Sequence, residues 1–302
     1  MVPVMHRNAP FAPTVLKMVA KVVKLASLPA VCTRVMQLAD DPRASAQQIA
    51  EVICLDPGLA ARMLKLANSA HFGMRERVDT FDVAIRVLGV DALRTLVLGT
   101  GAVGALNALC KGVLDTDAFW ANSVHCALTA RELWRLTRHP RPEQGFVIGL
   151  LHAIGQIVLA VQDASKTSLI VERLVDARQD RAGLEREIFG FTYAEVGAAL
   201  LSAWQLPASL SCPVRFQLNP NSAAACATEA AILHIAMALT SFDIGRQTQP
   251  EQHEGSILAV QRDVWRLAGV VEDTAMKVLD DVDSQWFEVM EIVAPGSLLL
   301  HY

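Results

Sequence analysis

The 302 residues are 52% hydrophobic, enough apolar material for a large core that needs no staples. Lys and Arg number 27 against 31 Asp and Glu, a formal net charge of -4. That balance lacks the basic footprint of a protein that grips nucleic acid or an anionic membrane surface.

Residues 1–13 carry His6 and Arg7 but then Pro10 and Pro13 in place of an apolar run, so they read as a flexible N-terminus rather than a secretory leader. A cytoplasmic protein is expected. Beyond them apolar residues recur at three- and four-residue spacing, while two-residue alternation and Asn-Gly or Asp-Gly turns are absent, which predicts an all-α fold. Ser45 with Gln48 and Thr192 with Glu195 have capping-box spacing ahead of apolar runs. Pro57, Pro142 and Pro207 suit first helical positions, and Gly73, Gly89 and Gly190 suit helix ends. The apolar stretches Val97–Cys110 and Phe146–Val161 are short for a bilayer and read as core helices, so no membrane insertion is expected. In GTGAVGAL (Gly99–Leu106) a phosphate loop would need a Lys-Ser/Thr ending, and small residues for close helix packing suffice.

The six cysteines, Cys32, Cys54, Cys110, Cys126, Cys212 and Cys226, form no CxxC pair and read as small buried hydrophobes of a reducing compartment. The run Arg131, Arg135, Arg138, His139 and Arg141 reads as a solvated helix face rather than a nucleic-acid patch. Phe242–Gly255 is polar, with Gly245, Pro250 and Gly255, and reads as an exposed loop before a final helical hairpin carrying Val264, Leu267, Val278, Leu279, Trp286 and Met290. The division is a main body at 14–219 and a helical C-terminal extension at 220–302 packed on it.

Several segments, in order, carry a family resemblance. LADDPRASAQQIAEVICLDPGLAARMLKLANSAHFG (Leu38–Gly73), AIRVLGVDALRTLV (Ala84–Val97), GLLHAIGQIVL (Gly149–Leu159) and FGFTYAEVGAALLSAWQLP (Phe189–Pro207) together resemble the HDOD domain over Leu25–Pro220. The resemblance implies an HD-like multi-helix bundle serving bacterial signalling as an output or scaffold module, with descent from metal-dependent phosphohydrolases. At the positions where such an enzyme holds its metal, this chain has Asn122 after the tryptophan, His152 and Ala153 for the His-Asp doublet, Tyr193 before AEVG, and Gln217 and Leu218 for a His-His pair. The late aspartate falls on Met237. One imidazole is a poor grip on a hard divalent ion, so no metal, no cofactor and no catalysis are expected. His152 then reads as a core histidine satisfied by backbone partners.

The expectation is a regulatory module acting through protein contacts, with signalling proteins as partners and a homo-oligomer as one option. Candidate recognition residues are Arg75 and Arg77 in the loop Met74–Thr80, because a rigid scaffold commonly presents recognition on loops. Two alternatives are a pocket that binds a nucleotide or other small ligand without turnover, helped by Arg131 or Arg215, and a residual phosphohydrolase with ligands from unexpected positions.

Overall fold

The computed structural model describes residues 10–72, 77–110, 112, 114–174, 180–240 and 260–295, and among these residues no strand occurs. The N-terminal helices are started by local chemistry. Helix α1 (Pro13–Leu25) opens on a proline, and α2 (Ala30–Asp40) follows a short turn. At α3 (Ala46–Cys54) both halves of the Ser45–Gln48 capping box form, and at α4 (Pro57–Asn68) Asp56 accepts from the Leu59 N–H at 3.0 Å while Pro57 stands in the first turn.

The end of α4 is stitched to the chain ahead of α5. Asn68 Nδ2 donates to the carbonyls of Leu64 at 2.8 Å and Val78 at 2.7 Å, its Oδ1 accepts from the Val78 N–H at 2.8 Å, and Ser69 Oγ donates to the Leu66 carbonyl. A short 3₁₀ turn, Ala70–Phe72, then buries Phe72 edge-on against Phe146 at 5.9 Å. Gly73, Met74 and Arg75 lie outside the described residues. Helix α5 (Phe81–Leu88) ends where Gly89 takes φ 88°, a conformation costly for any residue with a Cβ.

Helix α6 (Val90–Cys110) is apolar on nearly all sides because it is enclosed. A Cβ on Gly99 would press on Val147, and one on Gly101 on Cys32, so these two glycines do serve close packing; Gly104 has nothing within 4 Å of that position. The central pair is α7 (Thr116–Leu136) and α8 (Pro142–Leu151). Their backbones meet at Gly149, where a Cβ would stand 2.6 Å from Ala127 Cα. After α9 (Ile154–Gln162), α10 (Ala164–Arg173) and α11 (Arg181–Phe189), Gly190 closes α11 in the left-handed region and the Thr192–Glu195 capping box opens α12 (Tyr193–Ala203). The two stretches long and apolar enough to cross a membrane, Val90–Cys110 and Pro142–Gln162, are mostly buried inside this bundle.

Helix α13 (Ala208–Phe216) follows Pro207, which occupies the position before the helix rather than its first turn. A 3₁₀ turn (Pro220–Ser222) leads to α14 (Ala227–Leu239), whose Ala230, Ala231, Ile232, Leu233 and Ile235 are fully buried against α7, α8 and α13. The loop assigned from sequence to Phe242–Gly255 lies outside the described residues. Among the described residues the C-terminal segment holds three helices where the sequence reading expects a hairpin: α15 (Arg262–Ala268), α16 (Glu272–Asp283) and α17 (Trp286–Val293). They cover α7 and α4: Trp286 Nε1 donates to the Ala121 carbonyl at 3.1 Å, His125 Nε2 meets Asp283 at 2.9 Å, and Glu288 accepts from the Ala70 N–H.

The cysteine reading needs correction. Cys212 and Cys226 form a disulfide with Cα atoms 6.2 Å apart, and Cys54 is exposed; Cys32, Cys110 and Cys126 are buried and free as expected. Pairing depends on the turn between α13 and α14 bringing together residues 14 apart, which no Cys spacing reveals.

Candidate functional site

The six positions that the resemblance marks as a former metal pocket lie on four elements. On α7, Asp115 caps the N-terminus by accepting from Ala118 N–H, Trp120 is fully buried with Nε1 bonded to Asn107 Oδ1, and Asn122 comes two residues later. Asn122 Oδ1 is shielded from solvent with no hydrogen-bond partner among the described residues. One turn on, burial raises the Cys126 thiol to about 12, so it stays protonated.

His152 and Ala153 occupy the break between α8 and α9, where two helix ends leave backbone groups to be satisfied. His152, 4% exposed, turns Nδ1 to the Gly149 carbonyl at 2.6 Å. Nδ1 therefore carries the proton. Burial drives the imidazole down to about 4, against the opposing effect of that hydrogen bond, so the ring is neutral at pH 7.

Gln217, fully buried just past α13, donates Nε2 to the His152 carbonyl at 2.9 Å and to the Val214 carbonyl at 2.8 Å. Its own carbonyl accepts from His234 Nδ1 at 2.7 Å, and burial holds His234 below the ordinary histidine range. Gln217 Oε1 has no hydrogen-bond partner among the described residues, and Leu218 packs half-buried against the core. Met237, half-buried on α14, packs there too.

Tyr193 opens α12, and its N–H donates to Glu185 Oε2 at 2.6 Å. Burial, then the Glu185 charge, hold its hydroxyl well above the usual phenol range. Gly155, three residues past His152, packs directly under the Tyr193 backbone, with no room for a Cβ beneath the Tyr193 carbonyl. The fold thus joins His152, Gln217 and His234 by hydrogen bonds and sets the Tyr193 backbone against α9. Asn122 lies on α7, one helical turn before Cys126.

Whether these side chains fit a divalent ion depends on the donors they offer. Among the described residues no group of three His, Cys, Asp or Glu is placed to hold one. What remains is the imidazoles of His152 and His234, each with Nδ1 on a backbone carbonyl and Nε2 as its one lone-pair donor, and two neutral amide oxygens on Asn122 and Gln217, with no carboxylate among them. Hard cations take several charged oxygen ligands to offset lost hydration, so this set does not fit the metal of an HD enzyme.

Other expected residues take different places. Arg131 is 4% exposed rather than part of a solvated face: it meets Glu132 at 3.1 Å and Glu143 at 3.9 Å and lies over the Phe72 ring at 4.4 Å. Arg215 lies over the rings of Phe11 and Phe216, and His139 is half-buried beside Glu229 at 3.3 Å. Arg77 is exposed and pairs with Asp79 at 2.7 Å.

Sequence reasoning missed Glu185. Only 1% exposed, it stands behind Tyr193 with Arg181 at 3.8 Å, and burial raises its carboxyl to about 7 against the Tyr193 hydrogen bond and the Arg181 charge. Nothing in LEREIF marks it, since the Tyr193 N–H that its carboxylate accepts from is brought there by the fold. Arg181 also borders an open cleft of about 430 Å³, together with Asp115, Phe119, Gln156, Thr167 and Glu172.

The HDOD domain family matches residues 25–220. An uncharacterized protein of Treponema pallidum (strain Nichols) is 26% identical over 200 residues, 64% of this chain but only 37% of that protein's length. Among solved structures, a Shewanella amazonensis SB2B protein provisionally named a phosphohydrolase is 29% identical with a TM-score of 0.71, over 92% of this chain and 98% of its own. An HDOD domain protein of unknown function from Geobacter sulfurreducens is 22% identical with a TM-score of 0.67, over 95% and 99% of the two chains. A Marinobacter aquaeolei VT8 protein provisionally named a signal transduction protein is 20% identical with a TM-score of 0.67, over 97% of this chain and 68% of its own.

Proposed function

The chain belongs to the HDOD family, and from that premise we propose that it is a non-catalytic signalling module that works through protein contacts in the cytoplasm. The observation that carries this reading is the Gln217 amide. Where an HD enzyme would aim an imidazole at a metal, this side chain is turned onto the His152 and Val214 carbonyls, and His152 turns its own Nδ1 onto Gly149. The Gln217 amide N–H and His152 Nδ1 hold helix ends together, which supports a structural role for the former pocket. Function then lies on the surface, with regulatory proteins or a second copy of the chain as partners.

Small-ligand binding without turnover is the competing reading, and the cleft beside α10 is its natural seat. Its lining disfavours a nucleotide: Asp115 and Glu172 bring negative charge to it, and Arg181 is directed toward Glu185. The proposed contact face includes exposed Arg77, next to Val78 whose two backbone groups Asn68 fixes, and with it Arg75 from the same stretch of sequence. Replacing both arginines with Ala is expected to weaken cross-linked capture of the native cytosolic partner at least about tenfold while leaving Tm nearly unchanged. Undiminished capture removes this face from the account, and capture that no surface change weakens, beside tight ligand binding in a thermal-shift screen, favours the competing reading.

A further inference from the structure

We propose that Cys212 and Cys226 are a reversible thiol–disulfide latch, exchanging with small disulfides and thiols of the glutathione class, that holds the Gln217 segment closed over the His152 break. This goes beyond the signalling reading and does not depend on it.

The placement carries the inference. Cys212 lies in α13 and Cys226 is the residue before α14, so their bond closes the stretch that contains Gln217, Leu218 and the Pro220–Ser222 turn. That stretch reaches two other parts of the fold. Gln217 grips the His152 carbonyl on one side, and Asn221 Nδ2 donates to Asp263 Oδ2 on α15 on the other. Helix α13 is weak near the bond, because Pro213 stands inside it and supplies no N–H to its ladder. The disulfide therefore constrains the segment where the backbone does least.

Exchange without unfolding is also written into the packing. Cys226, Ala223 and Ala230 form a small apolar cluster with Cys212, Phe216 and Ala227, separate from the main core. Cys226 is 5% exposed and Cys212 half-buried, which makes Cys212 the side from which attack is to be expected. A glutathione thiolate attacks the Cys212 sulfur and expels the Cys226 thiolate; a second glutathione thiolate then attacks the glutathione sulfur of the mixed disulfide, releasing the Cys212 thiolate and one oxidised glutathione. Two electrons pass from two glutathiones to the protein pair, and the reverse sequence restores the bond. Among the free cysteines Cys32, Cys110 and Cys126 are buried, while Cys54 is exposed at the end of α3 with no cysteine paired to it.

The test uses the full chain equilibrated with reduced or oxidised glutathione, read by peptide mapping of the Cys212–Cys226 link, by Tm and by amide hydrogen exchange. Reduction is expected to be reversible, to lower Tm by on the order of 5 °C as loop closure is lost, and to speed exchange at residues 214–222 about tenfold while α6 and α7 are unchanged. Cys212→Ser should exchange like the reduced chain in either buffer, and if that variant fails to fold the wild-type pair of measurements decides alone. The latch is overturned if oxidised glutathione leaves both thiols free, or if the bond forms and breaks with no change at 214–222.

Discussion

Gly155→Ala is expected to destabilise the chain by more than about 3 kcal/mol, enough to leave it largely insoluble. The substitution adds one methyl group and nothing else, and in an unhindered helix it would stabilise by up to about 1 kcal/mol. Here the new Cβ would collide with the Tyr193 carbonyl and stand 2.7 Å from the Gly197 N–H, all backbone of α12, so no side chain can swing aside. Separation of α9 from α12 would pull Tyr193 from Glu185 and disturb the His152 break. Gly104→Ala is the control, because that position meets nothing within 4 Å and should gain a little stability. Chemical denaturation of the two variants beside wild type checks the pair; equal tolerance of both would show that α9 and α12 are not in this close contact.

Glu185→Gln is expected to gain about 2–3 kcal/mol of stability relative to wild type as pH rises from 4 to 8. Glutamine keeps an oxygen for the Tyr193 N–H but cannot ionise. In the wild type the folded carboxyl titrates at about 7 against a reference near 4.5, so the folded chain binds more protons than the unfolded one between these values. Stability from this group is therefore full below about pH 4.5, falls as pH rises toward 7, and is flat above. The neighbouring Arg181 loses its partner in the variant, which trims the gain at high pH. Denaturant midpoints at several pH values, fitted with constant slope, give the answer: parallel curves for the two proteins would show that Glu185 is not held in a dry environment.

What could be read from the sequence was what local chemistry decides. Ser45, Pro57, Thr192, Gly89 and Gly190 mark helix boundaries because their side chains or φ values act within a few residues, and the structure places them so. Ordered motifs over Leu38–Pro207 carried the family because each is long and their spacing is fixed by the bundle. Contacts between distant elements stayed hidden. Arg131 sits in a run that looks solvated, and groups arriving from elsewhere in the fold, Phe72 and Glu143 among them, cover it. Glu185 and the Cys212–Cys226 pair are hidden for the same reason, since tertiary packing sets both burial and cysteine proximity. For the pocket, the sequence showed which residue types stand at the ligand positions, whereas the Gln217 clamp on the His152 carbonyl needed coordinates.

The claim that the former pocket has become part of the scaffold is tested most directly by metal content. Purified full-length chain and His152→Gln are incubated with manganese, iron, nickel or zinc, exchanged into clean buffer and subjected to elemental analysis, with hydrolysis of cyclic dinucleotides, nucleotides and a chromogenic phosphodiester assayed on the same samples. The account predicts no stoichiometric metal and no turnover in either protein, with His152→Gln losing about 1–3 kcal/mol of stability from the missing buried hydrogen bond. One equivalent of metal in the wild type that vanishes in His152→Gln, or hydrolysis that depends on His152, would contradict it.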